Sequence, residues 1–233
     1  MWNTAEIIGF IQDHLVRLDH GYRAQQAHSG LDALLETDLH PLLAQALTSS
    51  HLQCIQEAYF PTSAEEKRKD SSRERCDLVF LPDGKSSIYD PIHADRELNA
   101  SAGTLFAHTA TIREPSPDQC EPQNAYWVEV KVIAQFRYIS GVPTPNARYA
   151  HELLSGPRDD VVKLASDPSI RNAGVLVVLF TEHKESGIHD LSMAMQELIE
   201  QELPVLMPEI RSLPIENYAG NEWCTLGLIP LRL

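Results

Sequence analysis

Positive charge is scarce in this chain: 19 Lys and Arg stand against 33 Asp and Glu, a formal charge of −14 over 233 residues. Such a surface repels nucleic acid over most of its area, so any polyanion would need a local exception. Long apolar runs are also missing. No stretch approaches the ~20 residues that span a bilayer, and Met1–Glu6 lacks the basic start and apolar core of a signal peptide. Cys54, Cys76, Cys120 and Cys224 are scattered with no CxxC pair, which reads as reduced thiols in a cytoplasm. The histidines are dispersed as well, and His151, His183 and His189 have no spacing that favours zinc. Neither an internal repeat nor a low-complexity tract is visible.

At 43% hydrophobic content the chain can bury one sizeable core, so a single domain is expected over 1–233. Apolar positions Ile7, Ile8, Ile11, Leu15 and Leu18 predict a helix over 4–20, and a second helical region runs from Leu31 to Leu47, broken or restarted near Pro41. Strands are predicted at 52–60, 77–81, 126–133, 173–180 and 224–231; the run Ala173–Phe180 is apolar enough to lie buried on both faces. Residues 62–74 and 140–145 read as loops, and 146–154, 158–166 and 188–203 as separate helices. This order gives an α/β fold with a mixed central β-sheet flanked by helices.

Within the run Tyr126–Ile133, alternation places Glu129 and Lys131 on one face and Val128, Val130 and Val132 on the other. A charge on a half-buried strand must be paired, bound to metal or neutralised. Upstream, Arg75-Cys76-Asp77 opens the apolar run Leu78–Leu81, which ends at the turn signal Pro82-Asp83-Gly84. If these strands pair, two carboxylates and one ammonium converge, and hard oxygen ligands of that kind suit magnesium or manganese. Standing alone, Glu-x-Lys on a strand is more often a solvated ion pair worth ~0–1 kcal/mol. Cys76 reads as a small buried apolar residue.

Asp77, Glu129 and Lys131 together resemble the active centre of the PD-(D/E)XK nuclease superfamily, in which an acid on one strand precedes an acid-x-lysine on the next. The family's proline before the first acid is replaced here by Cys76, and the two acids are farther apart than in the usual hairpin, so 84–124 is expected to be an insertion. Asp90 and Asp118 are the substitutes for Asp77, but neither leads into an apolar strand. The resemblance implies a restriction-endonuclease-like core, with Mg2+ or Mn2+ held by Asp77, Glu129 and the Val130 carbonyl, and with Lys131 positioning the attacking water. It also implies a third acid from the N-terminal helix, for which Glu36 ranks above Glu57. Lys163 reads as a surface residue more readily than as a helper at the rim.

Two stretches beside the acids are locally basic: Lys67–Arg75 holds five basic and two acidic residues, Lys131–Arg171 six and four. Residues 173–233 hold three basic and nine acidic, a surface suited to a protein partner rather than to DNA. The expected function is a cytoplasmic metal-dependent nuclease acting on DNA more readily than on RNA, in a bacterial defence or repair setting, with homodimerisation open. The alternatives are a non-catalytic nuclease-fold interaction subunit and an acidic nucleic-acid mimic.

Overall fold

In the computed structural model, which describes residues 2–48, 52–62, 73–102, 114–139 and 141–233, the chain builds a central mixed sheet flanked by helices. The strands are β1 (Gln53–Tyr59), β2 (Arg75–Leu81), β3 (Ser87–Ile88), β4 (Gln119–Cys120), β5 (Tyr126–Ala134), β6 (Phe136–Ile139), β7 (Val142–Pro145), β8 (Ala173–Thr181), β9 (Glu209–Pro214) and β10 (Trp223–Pro230). Six of them form the main sheet in the order β1-β2-β5-β8-β10-β9. Only β5 and β8 run parallel there, and the helix between them supplies the crossover that a parallel pair needs. All nine residues of β8 are buried, as its unbroken apolar sequence predicts for a strand covered on both faces.

The described residues form five α-helices, α1 (Thr4–Ala24), α2 (Glu36–Thr48), α3 (Pro91–Ala102), α4 (Tyr149–Ala165) and α5 (Lys184–Glu200), of which α1, α2, α4 and α5 pack on the sheet. Alternation along β5 divides the core in two. Tyr126, Val128 and Val130 pack with Ile8, Ile11, Leu15, Leu39 and Leu43 of α1 and α2. Trp127 and Ile133 join Leu153, Val161 and Leu164 of α4 and Leu191 and Leu198 of α5 on the other face. Burying each such side chain stabilises by about 1.5–3 kcal/mol, so the two helical layers are held independently to opposite sides of one sheet.

Several expectations are corrected. Helix α2 does not break at Pro41: it runs through that residue in its second turn, where the missing N–H costs one intrahelical bond and buried Leu39, Leu43 and Leu47 hold the helix in place. Residues 149–165 form one helix, not two, because Leu153, Pro157, Val161 and Leu164 make a continuous buried stripe across the proline. Of the loop expected at 140–145, residue 140 lies outside the described residues and 141–145 belong to a hairpin of β6 and β7, with Gly141 at φ +84°. Edge strand β9, half-buried along most of its length, carries too little alternation to stand out in the sequence. The described part of the 84–124 segment contains α3 and the short parallel pair β3/β4. Asp90 caps α3, accepting from the N–H groups of Ile92 and His93, with Pro91 in the first turn, a helix start readable from Asp-Pro. The basic stretch at 67–69 and the insertion's residues 103–113 lie outside the described residues.

Candidate metal centre where two strands part

Strands β2 and β5 pair antiparallel only over Leu78–Phe80 against Val128–Tyr126, and then separate. Beyond Val128, the even-numbered N–H groups of β5 therefore point into a gap rather than at a ladder partner. Buried backbone donors must be satisfied, and two carboxylates do it: Val130 N–H donates to Asp77 Oδ2 at 2.7 Å, and Val132 N–H to Glu36 Oε2 at 3.0 Å. A residue's carbonyl leaves a strand on the same edge as its N–H, so the Val130 carbonyl also faces this gap. The divergence brings Asp77 from β2, Glu129 and Lys131 from β5 and Glu36 from α2 to one place.

Helix α4 closes the gap from the opposite layer. Lys131 Nζ lies 3.4 Å from Asp160 Oδ2 and 3.6 Å from Glu36 Oε1, so one ammonium links the two helical layers through the sheet. Burial works to lower the Lys131 pKa, but Asp160 and Glu36 outweigh it and hold the group above its usual value. The stem of Lys131 crosses α4 at Gly156, where a Cβ would come within 3.0 Å of its Cδ. Lys163 is not a free surface residue: its Nζ sits 2.8 Å from Glu129 Oε1 and donates to the Arg75 carbonyl at 2.8 Å. Glu129 is only 3% exposed. Burial, with Asp77 adding like charge, pushes its carboxyl up to about 8 against the pull of Lys163. Asp160 is likewise raised to about 6, chiefly by burial.

On the α2 side the structure adds a residue that sequence reading passed over. His40 stands one turn after Glu36 on α2, and its side chain is 8% exposed. Its Nε2 lies 3.9 Å from Asp77 Oδ2 without a hydrogen-bond partner, and its Nδ1 lies 3.9 Å from Glu57 Oε1. Ligand atoms of His40, Glu57 and Asp77 all fall within 4.8 Å of one another. The β1/β2 ladder skips Glu57 and Asp77, which lie between the pairs Gln56–Leu78 and Ala58–Cys76, and Glu57 adopts φ +55°. A non-glycine residue in this left-handed region costs of order 1–3 kcal/mol and gathers at functional sites. The spacing Glu36-x-x-x-His40 was the available signal, since i and i+4 share a helix face.

Glu36 and Glu57, competitors for one role in the sequence, thus occupy different ends of the gap. Of the substitutes for Asp77, Asp90 is spent on Arg73, whose Nη1 is 2.6 Å away, and on capping α3. Asp118 accepts from Ser86 and Ser116. Cys76 is fully buried, its thiol pushed up by burial and by Glu129 and Asp77, so it is no nucleophile. Among the described residues, no helix is long and apolar enough to cross a membrane.

An imidazole, several carboxylates and two ammonium groups meeting at a backbone gap form a set able to hold a divalent cation beside a proton-donating or charge-stabilising lysine. No family model, curated protein or solved structure matches the chain.

Proposed function

We infer that the chain is a metal-dependent nuclease with a restriction-endonuclease-like core, its centre lying where β2 parts from β5. One observation carries the reading: Asp77, Glu129 and Lys131 meet in a gap that also holds the buried, unpartnered Nε2 of His40. A buried polar nitrogen with no partner costs about 1–3 kcal/mol unless something binds it. A cation beside Asp77 fits that need. Imidazole is a poor ligand for magnesium and a better one for softer ions, so His40 tilts the choice from Mg2+ toward Mn2+.

When bound, the cation would supply positive charge at a scissile phosphate and lower the pKa of a coordinated water. His40, Asp77 and Glu57 would hold it, with Glu129 and the Val130 carbonyl facing the same gap. Lys131, kept protonated by Asp160 and Glu36, would neutralise negative charge growing on the phosphate oxygens and orient water. Asp77 and Glu36 keep the β5 backbone apart from β2, which leaves the gap open.

The test is incubation of the wild type and Lys131→Ala with single- and double-stranded DNA and RNA, with and without Mn2+ or Mg2+. Metal-dependent cleavage by the wild type and its loss in folded Lys131→Ala is the expected result. No cleavage at any metal concentration, or equal cleavage by both proteins, overturns the reading. One observation favours a second reading, a non-catalytic interaction subunit: Lys163 already places a positive charge on Glu129. Under that reading the nucleic acid is untouched and calorimetry with Mn2+ shows no binding.

A further inference from the structure

A groove of about 510 Å3 opens directly from the candidate centre, sharing Glu36 and Lys131 with it. Its walls are Leu34 and Leu35 on one side and Tyr138 and Ile139 of the β6/β7 hairpin on the other. Arg137 and Glu152 lie at its polar end, joined by an ion pair. Four large apolar side chains crowd this corner in contact with solvent: Leu35 at 68% exposure, Tyr138 at 51%, Ile139 at 54% and Val142 at 59%. Exposed apolar groups gathered beside a polar site mark a binding surface.

Both walls are fixed. Asp32, buried in the turn that precedes α2, accepts from Ala219 N–H at 2.7 Å and from the Asn221 side chain at 3.3 Å. Asn221 in turn donates to the Phe136 carbonyl at 3.1 Å and accepts from Phe136 N–H at 3.1 Å, at the root of the hairpin. One buried network therefore sets the width of the groove. The outer strand of the hairpin carries Pro143 and Pro145, which lack the donors needed to add another strand. Contact here is made by side chains.

Resting on the nuclease reading, we propose that this groove takes the unpaired bases of a single-stranded nucleic acid, one base stacking on Tyr138 while the adjoining phosphate reaches the metal centre. Chemistry selects this occupant. A duplex hides its base faces and presents two rows of phosphates, and beyond Lys131, which serves the one phosphate at the centre, the only other cation lining the groove among the described residues, Arg137, is paired with Glu152. A single strand offers flat apolar faces, which suit exposed tyrosine and aliphatic walls and are read alike in DNA and RNA. Affinity drawn from stacking depends only weakly on salt, because few counterions are released.

The test is fluorescence anisotropy with labelled oligothymidylate, oligouridylate and a duplex of matching length, in chelator so that no strand is cut. The expected result is tighter binding of either single strand than of the duplex, with a shallow salt slope. Tyr138→Ala weakens single-strand binding roughly 5- to 150-fold, while Tyr138→Phe, which keeps the ring, stays near wild type. Because Tyr138 is exposed, unchanged thermal melting separates lost stacking from lost fold. Equal or tighter duplex binding, or unchanged affinity in Tyr138→Ala, overturns the proposal. Since binding is measured without metal, an absence of Mn2+-dependent cleavage would sink the nuclease reading separately.

Discussion

Replacing Lys163 by methionine removes an ammonium 2.8 Å from Glu129 Oε1 while keeping most of the side chain's apolar stem. The consequences depend on pH in a calculable way. Glu129 has a folded-state pKa of about 8 against about 4.3 in an unfolded chain. A carboxyl raised on folding binds more protons in the native state, so it makes the protein lose stability as pH climbs from the unfolded value to the folded one. At pH 6 Glu129 is already neutral in the wild type. There the substitution costs the donation to the Arg75 carbonyl, the bond to Glu129 and the contact of Nζ 4.9 Å over the Phe60 ring, together about 2 kcal/mol.

At pH 9 the wild-type carboxylate is ionised against Lys163, whereas in the variant nothing offsets its burial and it stays protonated. One pH unit above the wild-type pKa adds about 1 kcal/mol to the deficit. Urea denaturation in chelator at the two pH values measures both figures. For a chain of this size each kcal/mol also moves Tm by roughly 2–4 °C. Removing the charge from the partner as well, in Glu129→Gln/Lys163→Met, abolishes the extra loss at pH 9. An equal deficit at pH 6 and pH 9 would refute the argument, because Glu129 would then not be the group whose proton Lys163 controls.

Mn2+ at about a hundredfold excess over its Kd adds about 3 kcal/mol, seen as a Tm rise of roughly 5–10 °C; His40→Ala and Asp77→Asn lose this rise, and Mg2+ gives a smaller one. Gly156→Ala gains about 1 kcal/mol of helix propensity, yet its methyl presses on the Lys131 stem at 3.0 Å. Melting should therefore change little while cleavage falls on the order of 10- to 100-fold. Glu57→Gly relieves a φ of +55° and holds or raises stability by up to about 1 kcal/mol, while isothermal titration with Mn2+ records weaker binding.

What the sequence made legible was whatever depends on local period. The apolar run at 173–180 and the alternation at 126–133 placed β8 and β5 correctly, and the same alternation put Glu129 and Lys131 on one face. Asp77 was readable because an apolar strand follows it. Three things were not. His40 lies between Leu39 and Pro41 with only its i, i+4 spacing from Glu36 as a hint, and the burial of its Nε2 beside Asp77 without a hydrogen-bond partner is a tertiary fact. Lys163 looked like a solvated charge because its partner is 34 positions away on another element. The hairpin at 136–145 was hidden by its prolines, which argue against strand in general but are tolerated on an edge.

Lys131 touches Glu36 from one helical layer and Asp160 from the other, through a break in the sheet between them. Each half of the constellation is therefore anchored to a different hydrophobic core. An intermediate with only α1 and α2 docked would hold Glu36 and His40 in place but lack Asp160 and Lys163, and the reverse intermediate would lack the imidazole. The constellation is thus complete only when both layers have closed on the sheet.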